Sequence, residues 1–108
     1  MAVTDIDDNT FKDAISAEGW ALVDFYASWC GPCIMFKPIF QDMSAELTEV
    51  RFYKLDGESS PAARATVKIP GLPFFALYKN GELVEGLATS KEARLREMLG
   101  RHGIGGAA

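Results

Sequence analysis

A chain of 108 residues can bury roughly two thirds of its unfolded surface around one core, so one domain spanning 1–108 is expected and no second one is needed. Hydrophobic residues make up 48% and charged residues 24%, a balance that excludes a disordered or a membrane-spanning chain. Fifteen acidic side chains face eleven Lys and Arg for a net charge of −4, and the basic residues are scattered, so a nucleic-acid partner is not expected.

The opening stretch MAVTDIDDNT is acidic and lacks the basic-then-apolar order of a signal peptide. No apolar run approaches the roughly 20 residues of a membrane helix. The reading is a cytoplasmic protein with no membrane contact. Asp7, Asp8 and Asn9 offer N-caps for a helix that places Phe11, Ala14 and Ile15 on one face, and Gly19 suits its exit. Trp20 to Ala27 is apolar almost throughout, which predicts a strand buried on both faces. Asp24 interrupts it.

Cys30 and Cys33 follow, separated by Gly31 and Pro32. Phe36, Ile39, Phe40, Met43 and Leu47 then recur at helical spacing, with Pro38 expected to kink the helix; Met35, Phe36 and Met43 are read as core. Arg51 to Leu55 reads as a strand, and Ser60-Pro61 as the cap and first residue of a short helix to about Thr66. Phe74 to Tyr78 and Leu83-Val84 flank Asn80-Gly81, a strong signal for a two-residue antiparallel hairpin. Thr89 and Glu92 fit a capping box for a last helix with Leu95, Met98, Leu99 and His102 on one face, and residues 103–108 read as a flexible tail. A βαβ unit followed by a ββα unit predicts an α/β fold: a mixed sheet of four or five strands with helices on both faces.

The dithiol sits at a strand-to-helix junction, the end of the sheet where open α/β folds place their chemistry. Disulfide exchange needs an attacking thiolate, a resolving thiol and access for the substrate. A helix N-terminus favours an anion, so Cys30 is expected to be the nucleophile and Cys33, one turn further in, the resolving thiol. Pro32 in the first turn costs the helix little, and Gly31 lets a substrate backbone approach. A carboxyl buried at Asp24 without a strong partner has its pKa raised toward neutrality, which makes it a usable base for Cys33. A purely structural disulfide in so small a loop would gain only about 2 kcal/mol. Two cysteines and a distant His102 do not make a zinc site, so no metal is expected.

WCGPC, preceded by LVDF and followed by Pro38, YKL, GLP, KNGE and a final amphipathic helix, resembles the thioredoxin family in unbroken order from about Ile6 to Gly100. The resemblance implies a thioredoxin-like fold and a thiol–disulfide oxidoreductase that reduces disulfides in target proteins through a redox-active Cys30–Cys33 disulfide. It also implies no bound cofactor, a thioredoxin reductase as electron donor, and a monomer. It places Asp24 beneath Cys33, Lys54 beside Asp24 as a tuning charge, a cis bond at Pro73, and a substrate groove formed by Trp29, Gly71, Leu72, Pro73 and Gly86. Three departures stand out. Ile34 replaces a common lysine, Pro70 precedes GLP, and the stretch from Glu82 to Gly86 is short, which predicts a clipped last strand. These departures border the docking surface and motivate an alternative: a thioredoxin-fold binding module that docks one partner without turnover.

Overall fold

In a computed structural model, which describes residues 3–105, one mixed sheet runs in the order β1-β3-β2-β4-β5. The elements are β1 (Val3–Ile6), α1 (Phe11–Ser16), β2 (Trp20–Tyr26), α2 (Gly31–Glu46), β3 (Val50–Asp56), α3 (Pro61–Arg64), β4 (Phe74–Lys79), β5 (Glu82–Ala88) and α4 (Glu92–Arg101). Strands β1 and β2 pair parallel with β3 from either side, and β4 pairs antiparallel with β2 and β5. The strand β1 was absent from the sequence reading. Two of its four residues, Thr4 and Asp5, are exposed, so it lies at an edge with little apolar patterning to betray it.

The centre of the sheet is β2, and its period of two divides the core. Leu22 faces Phe36, Phe40 and Met43 of α2 and Leu95, Met98 and Leu99 of α4. Ala21, Val23 and Phe25 face Phe11 and Ile15 of α1 and Ala63 of α3. Helices therefore cover both faces, as the composition of β2 requires. Alternation places the Asp24 side chain on the face of Leu22, under α2. On the same face, its lateral neighbours are Lys54 of β3 and Phe75 of β4.

Several local expectations are corrected. Met35 is not core: it is 75% exposed on the outer side of α2, because it lies one residue before Phe36, which takes the inward position at 1%. Asp7 caps the turn before α1, accepting from the N–H groups of Asn9 and Thr10, but Asp8 serves α3 instead, accepting from Ala62 and Ala63 at 3.1 and 2.8 Å. The Thr89–Glu92 capping box does not form. The Thr89 hydroxyl accepts from the Lys91 N–H, and α4 starts after Lys91. Helix α2 runs through Pro38 as one element. In the expected tail, Ile104 is 2% exposed within the α2/α4 core, while residues 106–108 lie outside the described residues.

The hairpin forms as the sequence predicts, with Asn80 and Gly81 at φ 51° and 89°. However, β5 is not clipped. Tyr78 pairs with Leu83 and Leu77 with Glu85, so Val84 is the extra residue of a β-bulge, and pairing continues to Ala88. The bulge sets Leu83, Gly86 and Ala88 on the face shared with Phe74. Asp8→Ala should cost about 1 kcal/mol by leaving two α3 N–H groups without their acceptor. Thermal unfolding should show a drop of roughly 4 °C or more; an unchanged midpoint would show that the cap contributes nothing.

Candidate active site

Ala27 to Cys30 carry the chain from the end of β2 into α2, with the Cys30 N–H bonded to the Ala27 carbonyl. Cys30 is the N-cap of α2 in extended conformation, φ −85° and ψ 108°. Its sulfur accepts the backbone N–H of Cys33 at 3.2 Å, the position an oxygen takes in ordinary N-capping side chains. Cys30 and Cys33 form a disulfide, and both are largely covered, at 5% and 3% exposure. The sequence expectation that Cys33 is the more covered therefore rests on a small difference. What separates the two sulfurs is polarity: the helix-terminal N–H is directed at Cys30.

Pro32 occupies the first helical turn, where its missing N–H has no intrahelical partner. A side chain at Gly31 would meet nothing within 4 Å, so this position lies open to an approaching chain. The Leu72–Pro73 bond is cis. Trp29, Cys30, Gly31, Pro32, Gly71 and Leu72 line a groove of about 460 Å³ beside the dithiol, joined by Ile69, Pro70 and Arg64. Trp29 is 68% exposed, and its indole Nε1 donates to Glu58 Oε2 at 2.7 Å. Pro73, expected in this groove, is not among its lining residues, and neither is Gly86. Gly86 belongs to a neighbouring one, and a Cβ there would lie 2.5 Å from Phe74 Cζ, so the glycine makes room for that ring.

Asp24 is 4% exposed, and its Oδ1 has no hydrogen-bond partner. Burial penalises its charged form and raises its pKa from 3.8 to about 7, while the ammonium groups of Lys54 and then Lys37 pull it back down. Lys54, the sequence-derived neighbour, also meets Asp5 at 3.6 Å. Lys37 was missed. The signal was available, since it lies four residues beyond Cys33 on the same helix. Glu58, which holds the Trp29 indole, and Arg64, which lines the groove, were also missed, and they carried no local signal because only the loop after β3 and helix α3 bring them there. Among the described residues no cluster of His, Cys, Asp and Glu could hold a metal.

A carboxyl whose pKa is 3.8 unfolded and about 7 folded binds more protons in the folded state between those values. Stability must fall as pH rises through that window, by a few kcal/mol in total. Asp24→Asn removes this dependence. In urea unfolding at pH 8 the variant should therefore be more stable than the parent by a few kcal/mol, with the difference vanishing toward pH 4. A gap that does not vary with pH would show that Asp24 is not the group responsible.

The family model for thioredoxin matches residues 2–101. The chain is 39% identical over 80 residues to a thioredoxin of Chlamydia trachomatis, covering 74% of this chain and 78% of that one. It is 31% identical over 104 residues to a thioredoxin of Staphylococcus saprophyticus, covering 94% and 99% respectively. The crystal structure of Chlamydomonas reinhardtii thioredoxin f2 superposes with a TM-score of 0.86 at 30% identity, covering 93% of this chain and 95% of that one. With this match spanning the dithiol, the sheet and the last helix, the chain belongs to the thioredoxin family, and its Cys30–Cys33 pair makes it a thiol–disulfide oxidoreductase.

Proposed function

We propose that the protein reduces disulfide bonds in protein substrates, with Cys30 as nucleophile, Cys33 as resolving thiol and Asp24 as proton acceptor. The observation that carries this reading is the Cys33 N–H directed at the Cys30 sulfur at the mouth of α2. That donor and the helix dipole stabilise a thiolate on Cys30 over the thiol.

In the dithiol form, the Cys30 thiolate attacks one sulfur of the target disulfide and the other sulfur leaves as a thiolate. The resulting mixed disulfide holds the substrate on Cys30. Asp24 then accepts the Cys33 proton, and the Cys33 thiolate attacks the Cys30 sulfur. The second substrate sulfur leaves, and the Cys30–Cys33 disulfide closes. Two electrons have passed to the substrate. A base with pKa about 7 is charged about half the time at neutrality, whereas an unassisted thiol of pKa ~8.5 is only ~3% ionised there. Lys54 and Lys37 keep Asp24 from rising further and so hold it in a useful range.

Trp29, Gly71 and Leu72 present the groove on which an extended substrate segment lies, with the cis bond to Pro73 directly behind Leu72. Electrons return from a thioredoxin reductase, the protein itself binding no cofactor, and it acts as a cytoplasmic monomer of one domain. The alternative, a docking module without turnover, is not favoured, because the attacking cysteine, the resolving cysteine and the buried base are all present.

Reduction of insulin by dithiothreitol should be accelerated by the parent protein and fall to the uncatalysed rate with Cys30→Ser. Cys33→Ser should accumulate a covalent mixed disulfide. Asp24→Asn should slow turnover about tenfold at pH 7, with the loss shrinking above pH 8.5 where the thiol ionises unaided. Equal turnover by Cys30→Ser and the parent would refute the assignment.

A further inference from the structure

Beyond the dithiol groove lies a second and larger one, of about 1040 Å³. The two share Ile69 and Pro70, so a chain lying on the dithiol can pass from one to the other without leaving the surface. One wall is the segment after α3, including Val67 and Lys68; the other is β5, with Leu83 and Ala88. Phe74 lines it, in a position that Gly86 alone permits, because any Cβ at residue 86 would collide with the ring.

The Val84 bulge shapes the β5 wall. Without the extra residue, Leu83 and Gly86 would alternate onto opposite faces of the sheet. With it, Leu83 pairs with Tyr78 and Gly86 with Ala76, on one face. Leu83 is left 48% exposed, an apolar side chain turned to solvent on an edge strand. Among the lining residues the charges are equally one-sided, with the Glu58 carboxylate standing outside the lining on the Trp29 indole. Arg64 is the charged residue lining the dithiol groove and Lys68 that of the second. Both are cationic, on a chain of net charge −4.

We propose that this second groove is a specificity subsite of the reductase. It seats residues flanking the attacked cysteine of a protein substrate and selects an extended segment that carries bulky apolar side chains together with an acidic one. The proposal rests on the disulfide-reductase reading above. It assigns Leu83 and Phe74 to the apolar side chains, and Lys68 with Arg64 to the acid. Shape and apolarity supply affinity, and the two cations supply steering and orientation.

Three disulfide-cyclised peptides test it, alike except for the residues flanking both cysteines: leucines with a glutamate, serines with a glutamate, and leucines with a lysine. The readout is the ratio of kcat/KM between peptides for each protein, which does not depend on the absolute activity of a variant. The parent should prefer the leucine–glutamate peptide over the serine–glutamate one by about tenfold, the return expected for one side chain buried in part. It should prefer glutamate over lysine by about threefold, with that second ratio shrinking in salt. Leu83→Asp should bring the leucine preference close to one, and Lys68→Glu should reverse the charge preference. A parent that reduces all three peptides equally, or a leucine preference that survives Leu83→Asp, overturns the subsite while leaving the reductase reading intact. If the parent reduces no peptide faster than Cys30→Ser does, the reductase reading falls and the subsite falls with it.

Discussion

The arrangement depends on one unfavourable burial. A carboxyl group stands on the central strand, beneath the helix that begins at the dithiol, and one of its oxygens has no hydrogen-bond partner. An apolar residue there would pack as Leu22 does and strengthen the core. Asp24 instead leaves a group that is costly to charge, and that cost is what moves its pKa to about 7. The sheet tolerates it because everything around it is well packed: Phe36, Phe40 and Phe75 form a set of tilted aromatic contacts with centroids 5.0 to 6.5 Å apart on the same face. In the proposed mechanism the stability lost at this position supplies a proton acceptor at the pH where thiols need one.

The dithiol end supplies the complementary half. Strand β2 delivers Cys30 to the helix mouth, where an N–H meets its sulfur, and the helix carries Cys33 inward toward the face on which Asp24 lies. Two sulfurs of identical chemistry thus receive different environments. In the proposed mechanism Cys30 is stabilised as an anion by helix geometry, whereas Cys33 passes its proton to Asp24. In that mechanism this asymmetry orders attack before resolution. The lysines at 37 and 54 set how far burial pushes the carboxyl, and they link the site to α2 and β3 without touching the sulfurs.

Much of this was legible in the residues, for identifiable reasons. The apolar run of β2 has no reading other than a strand covered on both sides, and Asn80-Gly81 admits one turn geometry. Cys30 and Cys33 at a strand-to-helix junction suit disulfide exchange, and the ordered resemblance on both sides of them points to redox chemistry. The misses have equally local causes. Strand β1 is short, acidic and at an edge, so pairing with β3 rather than patterning makes it a strand. Asp8 looks like a cap for the helix that follows it, yet reaches across 55 residues of chain to α3. Met35 differs from Phe36 by one position on a helix whose phase the sequence defined only to within a residue. The Val84 bulge arises from pairing between strands, so the missing residues near Gly86 read as a clipped strand when they mark a re-aimed one. Contacts between distant segments were invisible for β1, Asp8 and the bulge, whereas Met35 and the Thr89–Glu92 box were misread within one segment.

The account turns on whether Asp24 is a titrating base at neutral pH. Infrared difference spectra of the oxidised protein, with Asp24→Asn as the reference that removes the band, report the protonated carboxyl directly as a function of pH. The account predicts a midpoint near 7, with the carboxyl still protonated at pH 5. A midpoint near 4, the value of an ordinary aspartate, would contradict it.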